Sequence, residues 1–365
     1  MRSAALKSPR FPLASLPLAV LASLALFTGA ANAAQPNMDD LIAAAQQEGR
    51  VDSLGMPDSW ANWKDTWADL KEEYGLEHSD TDMSSAEEIA KFRAEGENAS
   101  ADIGDVGIAF GPIAVEQGVT QPYKPSHWDQ IPDWAKDEDG HWALAYTGTI
   151  AMIINKDLVP EDERPHAFAD LLEGDYSVAV GPVGSGAQNN AAVLAAAYAR
   201  GGDESDLQPG LELFGDLAEQ GRLSLTDLTI AALEKGEIEV GLLWDFNALN
   251  YRDQIDRDRF EVSIPSDASV VSGYTTIINK YAPHPNAAKL AREYIFSDAG
   301  QANLAKGYAR PIRAEHLDFD DATAAKLLPD SEYANARPIE DFEAWEQTSR
   351  QLPQLWQSEV LTRQH

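Results

Sequence analysis

The sequence of 365 residues contains no cysteine. It therefore has no disulfide bond, thiolate metal site or cysteine nucleophile, and no cysteine that a lipid anchor requires. Basic residues are scarce, since 28 Lys and Arg stand against 60 Asp and Glu and the formal net charge is −32. A surface this negative repels phosphate backbones and anionic lipid headgroups. The composition thus argues against nucleic-acid binding and against a peripheral membrane role.

Long hydrophobic runs are absent except near the amino terminus. There, three basic residues precede an apolar run over residues 11–27, and a small-x-small motif ends at Ala33. This pattern predicts a secretory signal peptide over residues 1–33, cleaved near Ala33. A first transmembrane helix is the alternative, but no stop-transfer charges follow the motif and no later segment approaches the roughly 20 apolar residues of a span. We expect a periplasmic protein of a Gram-negative bacterium that is not anchored to the membrane.

The surplus of acidic residues has two explanations that the sequence leaves open. A dense carboxylate surface stays soluble when high salt screens charge, which predicts a halophilic or marine source. A cationic ligand is the other explanation, although net charge sums the whole surface and a binding site uses few residues.

The length exceeds the roughly 250–300 residues at which single hydrophobic cores stop growing, which favours two lobes. Short β-branched runs alternate with amphipathic stretches, the pattern of an α/β protein. Two such series are joined by extended segments at residues 141–155 and 272–279. We therefore expect two lobes, a double-crossover hinge and a cleft between the lobes. The predicted division is a signal peptide (1–33), the first part of lobe 1 (34–147), lobe 2 (148–268), and a return to lobe 1 with C-terminal helices (269–365).

Three motifs in the last third of the chain carry a family resemblance. They are YAPHPNAAKL at residues 281–290, SDAGQ at 297–301 and GYARPIR at 307–313. With them the chain resembles a type II periplasmic solute-binding protein of an ABC importer, in the branch that includes ferric-ion, polyamine, thiamine and phosphonate receptors. The resemblance covers essentially the whole chain after residue 33. It implies the type II fold, with the ligand held by loops at the carboxyl ends of strands.

Two candidate ligand loops lie in the first series. In the loop at residues 55–60, Asp58 can pair with a ligand cation while Trp60 packs on the apolar part of the ligand. The alternative is that Asp58 caps the next helix and Trp60 belongs to the core. In the loop at residues 82–85, the amides near Ser84 and Ser85 can hold an anion at a helix start, and ordinary helix capping is the alternative.

The third candidate loop, residues 181–187, is rich in glycine and leads directly into a helix. It resembles the S-G-T loop of the family, with Ser185, Gly186 and Ala187 at the three positions and Ala in place of Thr. Glycine lets the backbone approach a ligand, and the helix start offers free N–H groups to a phosphonate, carboxylate or hydroxyl. We expect this loop to contact the ligand.

The fourth candidate loop follows a buried strand at residues 243–247. Ferric receptors of the branch carry adjacent tyrosines near this place, where this sequence has Phe246 and Asn247, and that departure argues against ferric-ion binding. Trp244 and Asp245 instead resemble the aromatic-plus-acid pairing of polyamine receptors. The alternative is Trp244 in the core and Asp245 as a helix cap.

Three further residues are placed near the cleft only by their positions. Asp105 and Thr149 fall at a strand end and in the first extended segment, and Tyr274 falls in the second.

An enzyme is the main alternative class. The serine elbow G-x-S-x-G is absent, because Ser185 lies in the sequence VGSGA, and the seven histidines form no H-x-x-x-H pair. We expect no catalytic residues, no cofactor and no metal.

The expected function is capture of a small solute by hinge closure, followed by delivery to the membrane subunits of an ABC importer. The expected ligand is a small organic cation or amine, polyamine-like or thiamine-like. A phosphonate or other oxyanion and a ferric ion are the alternatives within the family. We expect the protein to act as a monomer.

Overall fold

Helices and strands alternate along the chain as the hydrophobic pattern predicts. A computed structural model describes residues 37–364, so the predicted signal peptide over residues 1–33 lies outside the described residues. The α-helices are α1 (Met38–Glu48), α2 (Trp63–Tyr74), α3 (Ser85–Glu95), α4 (Phe110–Glu116), α5 (Ala187–Ala199), α6 (Gln208–Glu219), α7 (Ile230–Lys235), α8 (Asp245–Ile255), α9 (Pro285–Ile295), α10 (Asp298–Lys306), α11 (Asp321–Ala324) and α12 (Phe342–Leu355). Between residues 37 and 364, no helix combines the length and apolar character that a membrane span requires.

The strands form one curled sheet in the order β2-β1-β3-β10-β5-β8-β6-β7, with four short strands attached to β5 and β10. The strands are β1 (Arg50–Leu54), β2 (Glu77–Thr81), β3 (Ile103–Gly107), β4 (Thr120–Gln121), β5 (Trp142–Asn155), β6 (Val178–Ala179), β7 (Leu223–Ser224), β8 (Val240–Trp244), β9 (Phe260–Ser263), β10 (Ser269–Asn279), β11 (Arg310–Pro311) and β12 (Ala336–Pro338). β1 runs parallel to β2 and β3, and β8 runs parallel to β6. The long strands β5 and β10 run antiparallel to each other, β10 also runs antiparallel to β3, and β5 runs antiparallel to β8.

The two predicted extended segments become the two longest strands, β5 and β10. Up to Thr149, β5 pairs with β10, and from Ile150 onward it pairs with β8. The strand therefore leaves one half of the sheet and enters the other near these two residues. We call β1 to β4, β10 to β12 and the start of β5 the first half of the sheet. The rest of β5 with β6 to β9 is the second half.

Helix ends follow local sequence signals. Glycines with positive φ end α1 at Gly49 (φ 73°) and α2 at Gly75 (φ 74°), because this conformation carries no steric cost in glycine. At the start of α3, the backbone N–H and the hydroxyl of Ser84 donate to Glu87 Oε2 at 2.9 and 2.7 Å. Of the two glutamates compatible with a capping box here, Glu87 is the one that caps the helix.

The second half of the sheet packs around α5, in which ten consecutive residues from Asn189 to Tyr198 are buried. Alanine occupies many of these positions, so α5 fits closely between the sheet and α6. The contact is tightest at Gly210 of α6, where an added Cβ atom would lie 2.5 Å from the carbonyl oxygen of Val193. The alanine-rich segment is therefore a core helix.

Candidate ligand-binding site

A cavity of about 600 Å3 lies between the two halves of the sheet. From the first half, the loop after β1, the start of α3, the end of β3 and part of β10 line it. From the second half, the glycine-rich loop before α5 and a residue after β7 line it. Several of these segments follow the carboxyl ends of parallel strands, where open α/β sheets bind their ligands. This volume lies within the range typical of small-molecule sites.

Seven of the twelve predicted site residues line this cavity. These are Trp60, Ser84, Ser85, Asp105, Gly186, Ala187 and Tyr274. They come from five separate segments of the chain, so the fold brings together residues that are distant in sequence.

Two buried carboxyl groups form part of the lining. Glu88 is 1% exposed and Asp105 is 2% exposed, yet Oε2 of Glu88 and Oδ1 of Asp105 form no well-aligned hydrogen bond, although the Trp63 indole interacts with Asp105. The other oxygen of Asp105 accepts a hydrogen bond of 2.7 Å from the hydroxyl of Tyr146. Burial raises the pKa of both carboxyl groups well above their ordinary values, and Asp105 also raises the pKa of Glu88 by repulsion.

Glu88 was missed as a site residue, because its spacing from Ser84 and Ser85 is also that of a capping glutamate. Two glycines make room for it. An added Cβ atom on Gly104 would lie 2.6 Å from Oε2 of Glu88, and one on Gly55 would collide with Oε1. A glycine directly after β1 and another within β3, beside an acidic helix start, were the available signal.

An aromatic wall stands beside the carboxyl groups. The indole N–H of Trp60 donates to the Tyr146 hydroxyl at 2.8 Å, and that hydroxyl donates to Asp105. Trp60 also packs edge-on against Tyr274 and Phe246, with ring centroids 5.5 and 5.3 Å apart. The chain of hydrogen bonds orients the Asp105 carboxyl group, while the half-buried Trp60 ring faces the cavity.

The aromatic-plus-acid pair expected at residues 244 and 245 does not form at the cavity. Trp244 is completely buried, and its indole N–H donates to the Tyr274 hydroxyl at 3.2 Å. The carboxyl group of Asp245 accepts hydrogen bonds from the backbone of Thr149 and Phe246 and from the hydroxyl of Tyr333. Trp244 thus belongs to the core, and Asp245 is held at the start of α8. This arrangement matches the alternative stated for these two residues in the sequence analysis.

Three other predicted residues also lie elsewhere. Asp58 is exposed and lines a separate polar cavity of about 520 Å3. Thr149 is buried, and its backbone N–H donates a hydrogen bond to the carboxyl group of Asp245. The hydroxyl of Ser185 donates to the carbonyl of Pro182, and this residue lines a different, apolar cavity. The first loop therefore contributes its tryptophan and not its acid, because the turn points the two side chains apart.

The charge of the cavity has one sign. Among the described residues that line it are four acids, Asp82, Glu88, Asp105 and Asp227, and no lysine, arginine or histidine. Positive potential comes from helix N-termini, since Gly186 precedes the 13-residue helix α5 without a side-chain cap and the capped start of α3 also lines the cavity.

One cluster between residues 37 and 364 has the composition of a metal site. Asp52, Asp102 and His284 lie close together near the amino ends of β1 and β3, away from the cavity. Asp102 already accepts from the backbone N–H groups of Asp52 and His284 at 2.8 and 2.6 Å, and it pairs with the His284 ring at 3.0 Å. The cluster therefore ties β1, β3 and the start of α9 together.

Comparisons with known proteins agree with this architecture. Residues 98–347 match the sequence model of the family described as bacterial extracellular solute-binding protein, and the chain belongs to this family. The sulfate-binding protein of Escherichia coli (strain K12) is 25% identical over 177 residues, which cover 47% of this chain and 53% of that protein. The chain thus spans about half the length of this curated relative.

Two further similarities extend over more of the chain. The probable ABC transporter periplasmic-binding protein y4fP of Sinorhizobium fredii is 23% identical over 254 residues, or 68% of this chain and 69% of that protein. The periplasmic binding protein AfuA from Actinobacillus pleuropneumoniae superposes with a TM-score of 0.69 at 17% identity, covering 86% of this chain and 98% of that chain. The resemblance to type II periplasmic solute-binding proteins and their two-lobed α/β fold is confirmed.

Proposed function

We propose that this protein is the substrate-binding component of an ABC importer, which captures a small solute in the periplasm and passes it to the membrane permease. Three observations support the proposal. The chain belongs to a family of solute-binding proteins, one relative is named as an ABC transporter periplasmic-binding protein, and a cavity of suitable size lies between the halves of the sheet. These homologues are transport proteins, which favours binding over catalysis.

The ligand in this proposal is a small organic cation or amine. The observation that carries it is the cavity lining, which has four acids and no basic side chain and includes two buried carboxyl groups, each with an oxygen that forms no well-aligned hydrogen bond. A buried acceptor without a donor costs free energy, and a protonated amine supplies both the donors and the positive charge. Trp60 then packs on the apolar part of the ligand. This differs from the sequence-based hypothesis in the residues used, since Glu88 and Asp105 replace Trp244 and Asp245.

Capture by hinge closure is part of the proposal because the candidate ligand contacts come from both lobes. In the proposed division, lobe 1 comprises residues 34–147 and 269–365 and lobe 2 comprises residues 148–268. The change of partner along β5 near residue 149 supports this boundary. Glu88 and Asp105 would hold the ligand from lobe 1, and the loop before α5 would hold it from lobe 2. A ligand that touches both lobes favours the closed form through its differential affinity.

An oxyanion is the second candidate ligand, because the uncapped N-terminus of α5 faces the same cavity and a relative is named as sulfate-binding. The four acids of the cavity oppose an anion. A ferric ion is less compatible, because burial raises the pKa of both Tyr146 and Tyr274 and so disfavours the phenolate form that would bind iron.

The test is a thermal-shift and calorimetric screen of polyamines, thiamine, choline-type amines, phosphonates, sulfate and ferric citrate. A ligand that binds only the folded state raises the melting temperature. We expect amines to raise it, and we expect Glu88→Gln and Asp105→Asn each to weaken amine binding by about 2–5 kcal/mol. Glu87→Gln is the matched control, because Glu87 lies on the same helix and caps it. A shift with sulfate or phosphonate alone would replace the amine with an oxyanion.

The pH dependence gives an independent check. Because burial raises the pKa of Glu88 and Asp105, both carboxyl groups take up protons in the folded protein at a pH where the unfolded chain is still ionised. Their destabilising effect is therefore fully present above the raised pKa values, shrinks as the pH falls below them, and is gone below the ordinary carboxyl pKa. Amine affinity should fall over the same range. Affinity that stays constant down to the ordinary carboxyl range would contradict the assignment.

A further inference from the structure

A second, apolar cavity of about 280 Å3 lies beside the acidic cavity. Its lining includes Ile108, Phe110 and Ile113 from the first half of the sheet and Ala191 from α5. The chain after β12 closes it with Trp345 of α12. An apolar cavity of about 150 Å3 already accommodates benzene, so this one has room for an aromatic ring or a short alkyl chain.

The two cavities are neighbours because the same segments line both. Where one residue of a segment faces the acidic cavity, the next or next but one faces the apolar cavity, and Ala187 lines both. In each of the following pairs, the first residue lines the acidic cavity and the second lines the apolar cavity: Ser85 and Ala86, Asp105 and Gly107, Asn189 and Asn190, and Tyr274 and Ser272.

The partition between the cavities is thin. It includes Gly107, whose backbone N–H donates to the Ser85 hydroxyl at 3.0 Å. An added Cβ atom on Gly107 would lie 3.1 Å from the Cβ atom of Ala187, so the two segments approach closely here and glycine makes that approach possible. Gly107 belongs to the first half of the sheet and Ala187 to the second, so hinge movement would separate the two sides of this partition.

The outer wall of the apolar cavity is α12. Pro353 packs against Gly184, where an added Cβ atom would lie 2.8 Å from Cγ of the proline. The charged residues at the rim, Glu346 and Arg350, pair with each other. The Ser349 hydroxyl is buried against the cavity without a hydrogen-bond partner. The charges are therefore neutralised at the rim, and most of the remaining lining residues are apolar.

We propose that the solute is an amine with an apolar substituent, whose ammonium group occupies the acidic cavity and whose substituent occupies the apolar cavity. This inference rests on the proposed function and narrows its substrate class. Short hydrophilic polyamines would leave the second cavity without a ligand group. An alkyl or aryl amine fills both cavities and joins lobe 1 and lobe 2 through one molecule.

The test is calorimetric titration of the purified protein with methylammonium, propylammonium and hexylammonium ions. Burial of each methylene group is expected to tighten binding roughly fourfold. Ser349→Phe fills the apolar cavity from α12 and should abolish the gain with chain length. Gln347→Phe is the matched control, because Gln347 lies on the same helix and is exposed. Ser349→Leu, which adds less volume, provides the same test if the larger variant does not fold.

The outcomes separate the two proposals. Affinity that rises with chain length in the wild type and in Gln347→Phe, but not in Ser349→Phe, supports the inference. Equal affinities for all three ions, reduced by Glu88→Gln, overturn the inference and leave the amine receptor standing. A rise with chain length that Ser349→Phe and Ser349→Leu do not change places the substituent elsewhere and also overturns it. Binding of none of the ions, with Glu88→Gln indistinguishable from wild type, overturns both proposals.

Discussion

Side chains of the same type take different roles in this protein because they are buried to different extents. Trp60 follows β1 and Trp244 is the last residue of β8, and each lies next to or near an acid in the sequence. Trp60 is half-buried and lines the acidic cavity, whereas Trp244 is completely buried beneath it. The proposed ligand therefore contacts the ring of Trp60, whereas the buried Trp244 donates a hydrogen bond to the Tyr274 hydroxyl.

Substitution of the two tryptophans should separate these roles. Trp60→Ala should weaken amine binding by about 1–3 kcal/mol because a stacked ring is lost. Trp244→Ala should lower the free energy of unfolding by about 3–5 kcal/mol because it leaves a large core cavity. Calorimetric titration and urea unfolding measure the two effects, and Trp60→Phe keeps a ring while removing the hydrogen bond to Tyr146. Unchanged affinity in a folded Trp60→Ala protein would remove Trp60 from the site.

At the scale of elements, close packing between α5 and α6 forms the core of the second half. α5 is buried around its circumference, which explains why its sequence shows no polar face. The two helices approach where α6 has Gly210, since backbone atoms of α5 occupy the space that a side chain would need. A second glycine of α6, Gly215, instead faces the flexible side chain of Arg363.

These two glycines provide a matched pair. Gly210→Ala should lower the free energy of unfolding by about 1–3 kcal/mol, because its methyl group meets rigid backbone. Gly215→Ala should change it by less than about 1 kcal/mol, because the Arg363 side chain can move and alanine favours helix. Urea unfolding of both variants tests the contrast. Equal losses would show that the α5 and α6 contact is not the cause.

At the scale of the whole molecule, electrostatic repulsion opposes folding. The net charge of −32 is spread over a chain with few lysines and arginines, and most of its ion pairs include an exposed side chain. Exposed pairs contribute little to stability, so they do not offset the general repulsion. The same charge keeps the protein soluble and attracts cations towards the acidic cavity.

Salt should therefore stabilise the protein. Sodium chloride shortens the Debye length from about 30 Å at 0.01 M to about 3 Å at 1 M, which removes most repulsion between surface carboxylates. The melting temperature should rise steeply at low salt and level off towards 1 M, as differential scanning calorimetry would show. Amine affinity should fall over the same range because long-range attraction is screened. A melting temperature independent of salt would contradict a destabilising surface charge.

Much of the fold was predictable because it depends on local patterns. The β-branched segments at residues 141–155 and 272–279 form β5 and β10, because β-branched residues disfavour helices and these runs are too apolar for loops. Short strands are less evident in such patterns, as β6 shows with only two residues, Val178–Ala179. The motifs at residues 281–313 identified the family, because they combine helix starts and turns whose spacing the fold requires.

The sequence by itself determined the class of protein, the order of its elements, the acidic composition and three loops that line the cavity, out of the four that it offered. Only the tertiary structure decided which side chains face the cavity. Glu87 and Glu88 are adjacent, and the packing of α3 against Gly55 and Gly104 makes one a cap and the other a buried acid. Trp60 and Trp244 were both plausible ligand contacts from the sequence, but segments distant in the chain bury Trp244 completely and leave Trp60 at the cavity. Local periodicity sets which residues share a face of an element, but what that face meets depends on segments far away in the chain.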